Sequence, residues 1–484
     1  MVLQVKTQNR MRRKALALAL ALLLSFCLPA GGEKDLSGII APSATRPTRE
    51  ENTEKANTIS SMLYSLGNLY AFLEDRFLYD IDNSKMMEDL SAAMVSSLGD
   101  QYSFYVPSSE ADAYYERTEG SYVGLGLYLT KQDPRNADLD DPESWMIKIE
   151  SPFPGAPADR AGLRAHDLVS SINGESVAPL NATEASIKLR GEEGVPVTLE
   201  VHRGGNTFSI TLTPERVTTP SSAASMLEDG TGYIAIYTFS MTTHESVEKN
   251  LESLLGQGAE KIIIDLRNNG GGTVESAERI ADMFLSSGTI LTTKFKDGRN
   301  RKDVVDRAGT TVLVDESVPL AVLVNGGTAS SSEILTSALK DNGRAIVVGS
   351  QTFGKGVEQE VIAFGDGFVQ ITAGHFYTPS GTDIHGVGIT PDIVIEEKEY
   401  TDEELDAYSE FLKTSLTSDF VDANPDYSHE SIDRFAKENI SSGVPEDLLQ
   451  RLVRNEYMYR LDYTERKIAD PYYDEVLKAA MEAL

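Results

Sequence analysis

Leu320-Ala-Val-Leu-Val-Asn-Gly-Gly-Thr-Ala-Ser330-Ser-Ser-Glu-Ile-Leu-Thr-Ser-Ala-Leu339 reads as a strand, a glycine turn and a helix. Five consecutive apolar residues with no polar alternation predict a strand covered on both faces. Asn-Gly-Gly-Thr interrupts the run, and residues 332–339 resume at helical spacing. The same order recurs on either side. Lys261-Ile-Ile-Ile-Asp-Leu is a second buried strand, residues 276–285 form a helix, and residues 345–348 form a third strand. Alternation of this kind from residue 231 to about 397 predicts βαβ units and a largely parallel sheet.

The turns that end these strands hold the residues able to do chemistry. Asp265-Leu-Arg-Asn-Asn-Gly-Gly-Gly272 closes one strand with three glycines. Such a turn either meets a need for positive φ or lets backbone N–H groups approach a developing oxyanion. Ser330 stands at or near a helix N-terminus, where a serine is either an N-cap or a nucleophile facing the helix dipole. Gly349-Ser-Gln-Thr-Phe-Gly-Lys355-Gly matches a phosphate-binding loop up to its lysine. The match fails at Gly356, where a magnesium-binding Ser or Thr belongs, and Val357-Glu-Gln-Glu-Val-Ile reads as a strand rather than the helix required.

Lys355 is more useful as a base beside a serine. A lysine acts so only when neutral, and bringing its pKa from about 10.4 to about 7 takes roughly 4–5 kcal/mol. Burial supplies that sign. Gly354 and Gly356 allow close packing around the lysine, and Gln359, four residues on, is a neutral hydrogen-bond partner. The alternative base is a histidine, His375 or His385, although neither lies in a turn built for a site. Histidines and acids show no metal-ligand spacing, and no cofactor is expected.

Away from this core, residues 120–216 have a strand-and-turn texture. Tyr122-Val-Gly-Leu-Gly-Leu-Tyr-Leu is an apolar strand entered through two glycines, and Leu168-Val-Ser-Ser-Ile-Asn-Gly-Glu-Ser-Val is a hairpin on an Asn-Gly turn. Ile59, Leu63, Leu66, Tyr70, Leu73 and Phe77 mark one stripe of a helix. That stripe packs either on the main body or against a second copy, as a homodimer contact. A second helical stretch covers residues 85–97, and the chain turns acidic and helical after Tyr400.

Residues 1–30 run from a basic start, Lys6, Arg10, Arg12, Arg13 and Lys14, through an apolar stretch to Leu-Pro-Ala-Gly-Gly. This is the order of a secretory signal, or of a retained N-terminal anchor in the membrane. It predicts export to an extracellular, cell-surface or periplasmic site, and residues 31–50 read as a linker. Cys27, the single cysteine, lies in this segment, so the rest has no disulfide or thiolate chemistry; a lipid on Cys27 is the alternative use. The net charge of −31 over 484 residues argues against nucleic acid as a partner.

Taken together, Asp265-Leu-Arg-Asn-Asn-Gly-Gly-Gly, Gly-Thr-Ala-Ser330-Ser-Ser-Glu, Thr-Phe-Gly-Lys355-Gly, Gln359 and Gly386-Val-Gly-Ile-Thr-Pro-Asp resemble the C-terminal processing, or tail-specific, serine proteases. The resemblance runs from about residue 55 to 397. It implies an α/β multi-domain chain with a crotonase/ClpP-like protease core at 217–400 and an inserted PDZ domain at 116–216. Helical regions at 51–115 and 401–484 flank them. By position it implies Ser330 as nucleophile, Lys355 as base and Gln359 as the residue that orients the lysine. Backbone N–H groups around Gly271 and Ser331 would form the oxyanion hole. The family usually has Ala where this chain has Ser331, so the run of three serines leaves a one-residue ambiguity.

The resemblance further implies that Gly124, Leu125, Gly126 and Leu127 bind a substrate C-terminal carboxylate. The physics agrees, because successive N–H groups of a Gly-rich loop capture a terminal carboxylate. Arg190 is either a link between this PDZ domain and the core or a surface ion pair. The implied activity is endoproteolysis of polypeptides with free, apolar C-termini through an acyl-enzyme. A catalytically silent PDZ scaffold and an acyl-CoA-type enzyme of crotonase architecture are the rivals.

Overall fold

The computed structural model describes residues 49–136, 138, 140–296, 302–309, 312–461 and 466–484. The expected signal or anchor, Cys27 and nearly all of the linker lie outside the described residues. The chain divides into two compact units, residues 1–81 with 296–302, and residues 82–295 with 303–484. The first is represented by the helix Arg49–Arg76, along which Ile59, Leu63 and Leu66 are exposed.

The second unit is built on a six-stranded sheet. Its order is Ser222–Met226, Thr231–Ile236, Lys261–Asp265, Leu320–Val324, Ile346–Gly349 and Ile393–Val394. The first pairing is antiparallel and the other four are parallel. Side chains alternate between faces along each strand, which explains why the central strands are apolar throughout. Ile262, Ile264, Val322 and Val324 join the core under the helices Thr243–Gly256, Val274–Asp282 and Ser331–Asp341. Ile263, Ala321 and Leu323 face Leu477 and Ala480 of the C-terminal helix Glu475–Ala483. Both faces are therefore covered.

Parallel strands bring their C-terminal ends to one edge, where loops can converge on a site. The turns after Asp265, Val324 and Gly349 all leave from that edge, with Asp265 in register with Leu323 and Val324 with Gly349. Beside it a five-stranded antiparallel sheet holds Phe104–Val106, Gly367–Tyr377, Thr289–Phe295, Val304–Arg307 and Val357–Phe364. The segment after Lys355 is thus a strand, and the helix of a phosphate-binding loop does not form there.

Residues 121–218 form a separate β-rich body with its own core of Ile147, Ile149, Val169, Leu199 and Val201. The strands Leu168–Ile172 and Glu175–Ser176 pair through Asn173 and Gly174, at φ 52° and 79°. Positive φ at both central positions is what a type I′ hairpin turn demands. The helix Ala182–Arg190 begins with a reciprocal cap between Asn181 and Glu184. Residues 402–460 add four helices around Phe435, Leu449 and Val453.

Candidate active site

Ser330 precedes the first residue of the helix Ser331–Asp341 and has φ 58° and ψ −119°. A non-glycine residue in this region carries backbone strain, of order 1–3 kcal/mol, that surrounding contacts must hold. Those contacts are present. Ser331 Oγ donates to Gly272 O at 2.9 Å and Ser332 Oγ donates to Asn269 O at 2.9 Å. Ala329 N donates to Asn269 O at 3.0 Å, and Thr328 Oγ1 to Leu266 O at 2.9 Å. The serine turn and the glycine turn are thereby stitched together. Among the described residues, Ser331 and Ser332 spend their hydroxyls on this stitching, whereas the hydroxyl of Ser330 donates to no other group.

Gly271 faces the serine directly. At φ 97° it has no room for a side chain: a Cβ there would stand 2.8 Å from Ser330 Cβ and 2.7 Å from Ala329 O. Its N–H, however, donates to Asn269 Oδ1 at 2.9 Å. The expected oxyanion donor at Gly271 is therefore engaged in this conformation, because the Asn269 side chain folds back over the turn. Ser331 N–H opens the helix and belongs to the first-turn donors that have no intrahelical acceptor.

Glu333 is the residue whose role sequence reasoning missed. It is fully buried, and its two oxygens accept four hydrogen bonds. Oε2 takes Ser330 N at 2.9 Å and Lys355 N at 2.8 Å. Oε1 takes Thr352 Oγ1 at 2.6 Å and Gly354 N at 2.8 Å. One carboxyl thus clamps the turn carrying the serine to the turn carrying the lysine. An acid three residues into a helix is a familiar capping letter, and the local sequence held no sign of its second set of partners.

Lys355 is half-buried, and burial lowers its pKa, opposed by the nearby charge of Asp100. Its Nζ lies 4.8 Å from the centre of the Tyr102 ring. Asp100 is itself pulled below the usual carboxylate range: burial opposes the shift, but hydrogen bonds from Ser103 and Thr372 outweigh it. The flanking glycines are required by the chain opposite. A Cβ on Gly354 would meet Gly388 N at 2.7 Å, and one on Gly356 would meet His385 N at 2.7 Å. The Gly386-Val-Gly-Ile segment therefore forms one wall of the lysine's niche.

Among the described residues, no hydrogen bond joins Lys355 to Ser330 or to Gln359. The Gln359 amide donates instead to Val357 O at 3.2 Å and to Thr372 Oγ1 at 3.5 Å. The cause is a register shift between Glu358 and Gln359, which sets Gln359 opposite Thr372. His375 and His385 lie edge to face, 5.6 Å apart, with His375 Nδ1 3.9 Å from Asp383.

In the β-rich body, the carbonyls of Leu125 and Gly126 accept from Ala158 N and Phe153 N, both at 2.9 Å. A cavity of about 480 Å³ opens between this loop and the helix Ala182–Arg190, lined by Tyr122, Leu125, Gly126, Leu127, Leu189 and Arg190. Arg190 pairs with Glu116 and lies 4.8 Å above the Tyr122 ring.

Residues 230–395 match Peptidase family S41, and residues 148–203 match the PDZ domain. A carboxy-terminal-processing protease of Bartonella bacilliformis is 32% identical over 365 residues, spanning 74% of this chain and 79% of that protein. A protein of Staphylococcus aureus named probable CtpA-like serine protease is 31% identical over 344 residues, 71% of this chain and 66% of its own length. Among solved structures, a photosystem II D1 C-terminal processing protease is 28% identical, covers 69% of this chain and 86% of that one, and has a TM-score of 0.40. With a PDZ domain set ahead of a parallel α/β core, the chain belongs to peptidase family S41, as a serine peptidase of the carboxy-terminal-processing kind.

Proposed function

We propose that the chain cleaves polypeptides by acyl transfer, with Ser330 as nucleophile and Lys355 as its general base. The observation that carries this reading is the shared oxygen of Glu333, which holds the backbones of Ser330 and Lys355 to one point. Among the described residues the hydroxyl of Ser330 donates to no other group, whereas those of Ser331 and Ser332 donate to backbone carbonyls, and this supports Ser330 as the nucleophile. Lys355 takes the serine proton, an acyl-enzyme forms, and water releases it. Ser331 N–H is the first oxyanion donor, and Gly271 N–H joins it when Asn269 Oδ1 lets go. For the proton transfer Lys355 Nζ leaves the Tyr102 ring and turns to Ser330, with Gln359 as its partner in that active arrangement.

The loop Gly124-Leu125-Gly126-Leu127 captures the carboxylate of the substrate's C-terminus, and the adjoining cavity takes its apolar side chain. Arg190, beside this cavity, couples the PDZ domain to the core. Residues 1–30 direct export, and the exposed apolar face of the helix Arg49–Arg76 is where a second copy docks. Among the described residues, no helix is long and apolar enough to cross a membrane.

The test uses an unstructured polypeptide with a free, apolar C-terminus. Ser330→Ala and Lys355→Ala should each abolish cleavage while binding of the C-terminal peptide persists, and a chelator should change nothing. Cleavage surviving in Lys355→Ala would remove the lysine from the mechanism. Binding without cleavage by the unaltered chain would favour the scaffold.

A further inference from the structure

Residues 100–103 are fastened beside the lysine by the strand Gly367–Tyr377. The strand Phe104–Val106 pairs with it, Phe104 opposite Gln370. Gln370 Nε2 donates to Tyr102 O at 3.1 Å, and Gln370 Oε1 accepts from the Tyr114 hydroxyl at 2.7 Å. Thr372 N donates to Ser103 Oγ at 3.0 Å, and Ser103 Oγ donates in turn to Asp100. Each of these bonds is made by backbone or by another side chain, so the loop is held without the Tyr102 ring. The ring instead faces Lys355, with Nζ 4.8 Å from its centre. Thr372 also takes the Gln359 amide, at 3.5 Å. The lysine and the glutamine proposed to orient it are thus both held on this side.

We propose that Tyr102 is a positioning residue for the base: its ring holds the Lys355 ammonium off Ser330 and releases the side chain when the amine loses its proton. This rests on the reading of Lys355 as the general base.

The ring tells the two charge states apart. An aromatic face attracts a cation through its quadrupole, and a neutral amine loses that attraction. The lysine that cannot accept a proton is therefore the one kept away from the serine, and the lysine that can is free to reach it. Other charged or titratable groups border the niche. Burial disfavours the ammonium, and Asp100, in the same loop as the tyrosine, opposes that effect. Glu333 binds the Lys355 backbone with a carboxyl already taken by four donors. His385 stands behind Gly356, and His375 lies 5.6 Å from it, ring to ring. All of them remain when only Tyr102 is changed, so the share of the ring can be read by itself.

The experiment compares the full-length protein with Tyr102→Phe, which keeps the ring, and Tyr102→Leu, which keeps apolar bulk without it. The quantity measured is kcat/KM against pH on an unstructured polypeptide with an apolar C-terminus, because its acid limb reports the base of the free enzyme. In Tyr102→Leu the limb should move to lower pH by about 0.5–1 unit, the worth of one cation–π contact. Cleavage below the limb then rises roughly three- to tenfold, and the gain fades toward the plateau. Tyr102→Phe should keep the limb of the unaltered protein. If the leucine protein does not fold, Tyr102→Met carries the same expectation. A limb that stays in place or moves to higher pH, or a loss of rate equal at every pH, would overturn this inference and leave Lys355 as the base. Cleavage surviving in Lys355→Ala with the same limb would sink the base reading, and this inference with it.

Discussion

The backbone N–H of Ser330 and that of Lys355 donate to the same oxygen of Glu333, at 2.9 and 2.8 Å. The two residues are 25 positions apart and leave the ends of neighbouring parallel strands, so nothing local keeps them together. The buried carboxyl does. An amide at this position could accept through one oxygen only, leaving at least two of the four buried donors unpaired. At about 1–3 kcal/mol each, Glu333→Gln should destabilise the protein by roughly 2–5 kcal/mol in denaturant unfolding. In the folded fraction kcat should fall by at least ~10²-fold, the scale expected when a general base is misplaced.

Burial lowers the Lys355 pKa, which fixes the sign of two pH effects. The unfolded chain binds the lysine's proton more tightly than the folded chain does. Stability should therefore rise with pH through the interval between the folded pKa and about 10.4. Cleavage should rise over the same approach, as the amine loses its proton. Lys355→Met removes the cost of burying a charge, so its Tm at pH 7 should exceed that of the unaltered chain while activity falls by more than ~10²-fold. A lower Tm would contradict the assignment.

Gly271→Ala tests the oxyanion turn. The added methyl would press on Ser330 Cβ and Ala329 O, at a residue already in positive φ. Expected are a loss of about 1–3 kcal/mol in stability from backbone strain and a fall in kcat of ~10²–10³-fold, the cost of losing one oxyanion donor. Peptide binding to the PDZ domain should be unchanged in a titration.

The C-terminal region has a specific role beside the site. Arg267, two residues into the glycine turn, donates to Asp265 and also to Asp474, at 2.9 and 2.7 Å, from the start of the C-terminal helix. Tyr233 donates to the same Asp265 at 2.6 Å. Without Asp474 the guanidinium keeps Asp265, but two of its N–H contacts and the N-cap bond to Leu477 N lose their acceptor, at about 1–3 kcal/mol. Asp474→Ala should lower stability on that scale, and limited proteolysis should find residues 466–484 cut more readily.

Much of this was legible in the letters, for reasons that differ by residue. The unbroken apolar runs at 262–264 and 320–324 announce strands covered on both faces, and the triple glycine announces a turn that needs positive φ or brings backbone N–H groups close to a reacting group. The spent hydroxyls of Ser331 and Ser332 needed three dimensions, since a run of three serines is degenerate in sequence. Gln359 donates to Val357 and Thr372 rather than to the lysine in this conformation, and the register shift that puts it there leaves no trace in composition. Glu333 and Asp474 act over 22 and 207 residues, and periodicity reports only near neighbours. Arg190 carries the ion pair expected of a surface residue, together with a place beside the cavity of the β-rich body that its sequence context did not reveal.

The most direct measurement is the mapping of a trapped acyl-enzyme. The protein is treated with an activated ester, quenched, digested and analysed by mass spectrometry. The adduct should fall on Ser330 alone and form at least ~10²-fold more slowly in Lys355→Ala. An adduct on Ser331 or Ser332, or one formed at the same rate without Lys355, would contradict the account.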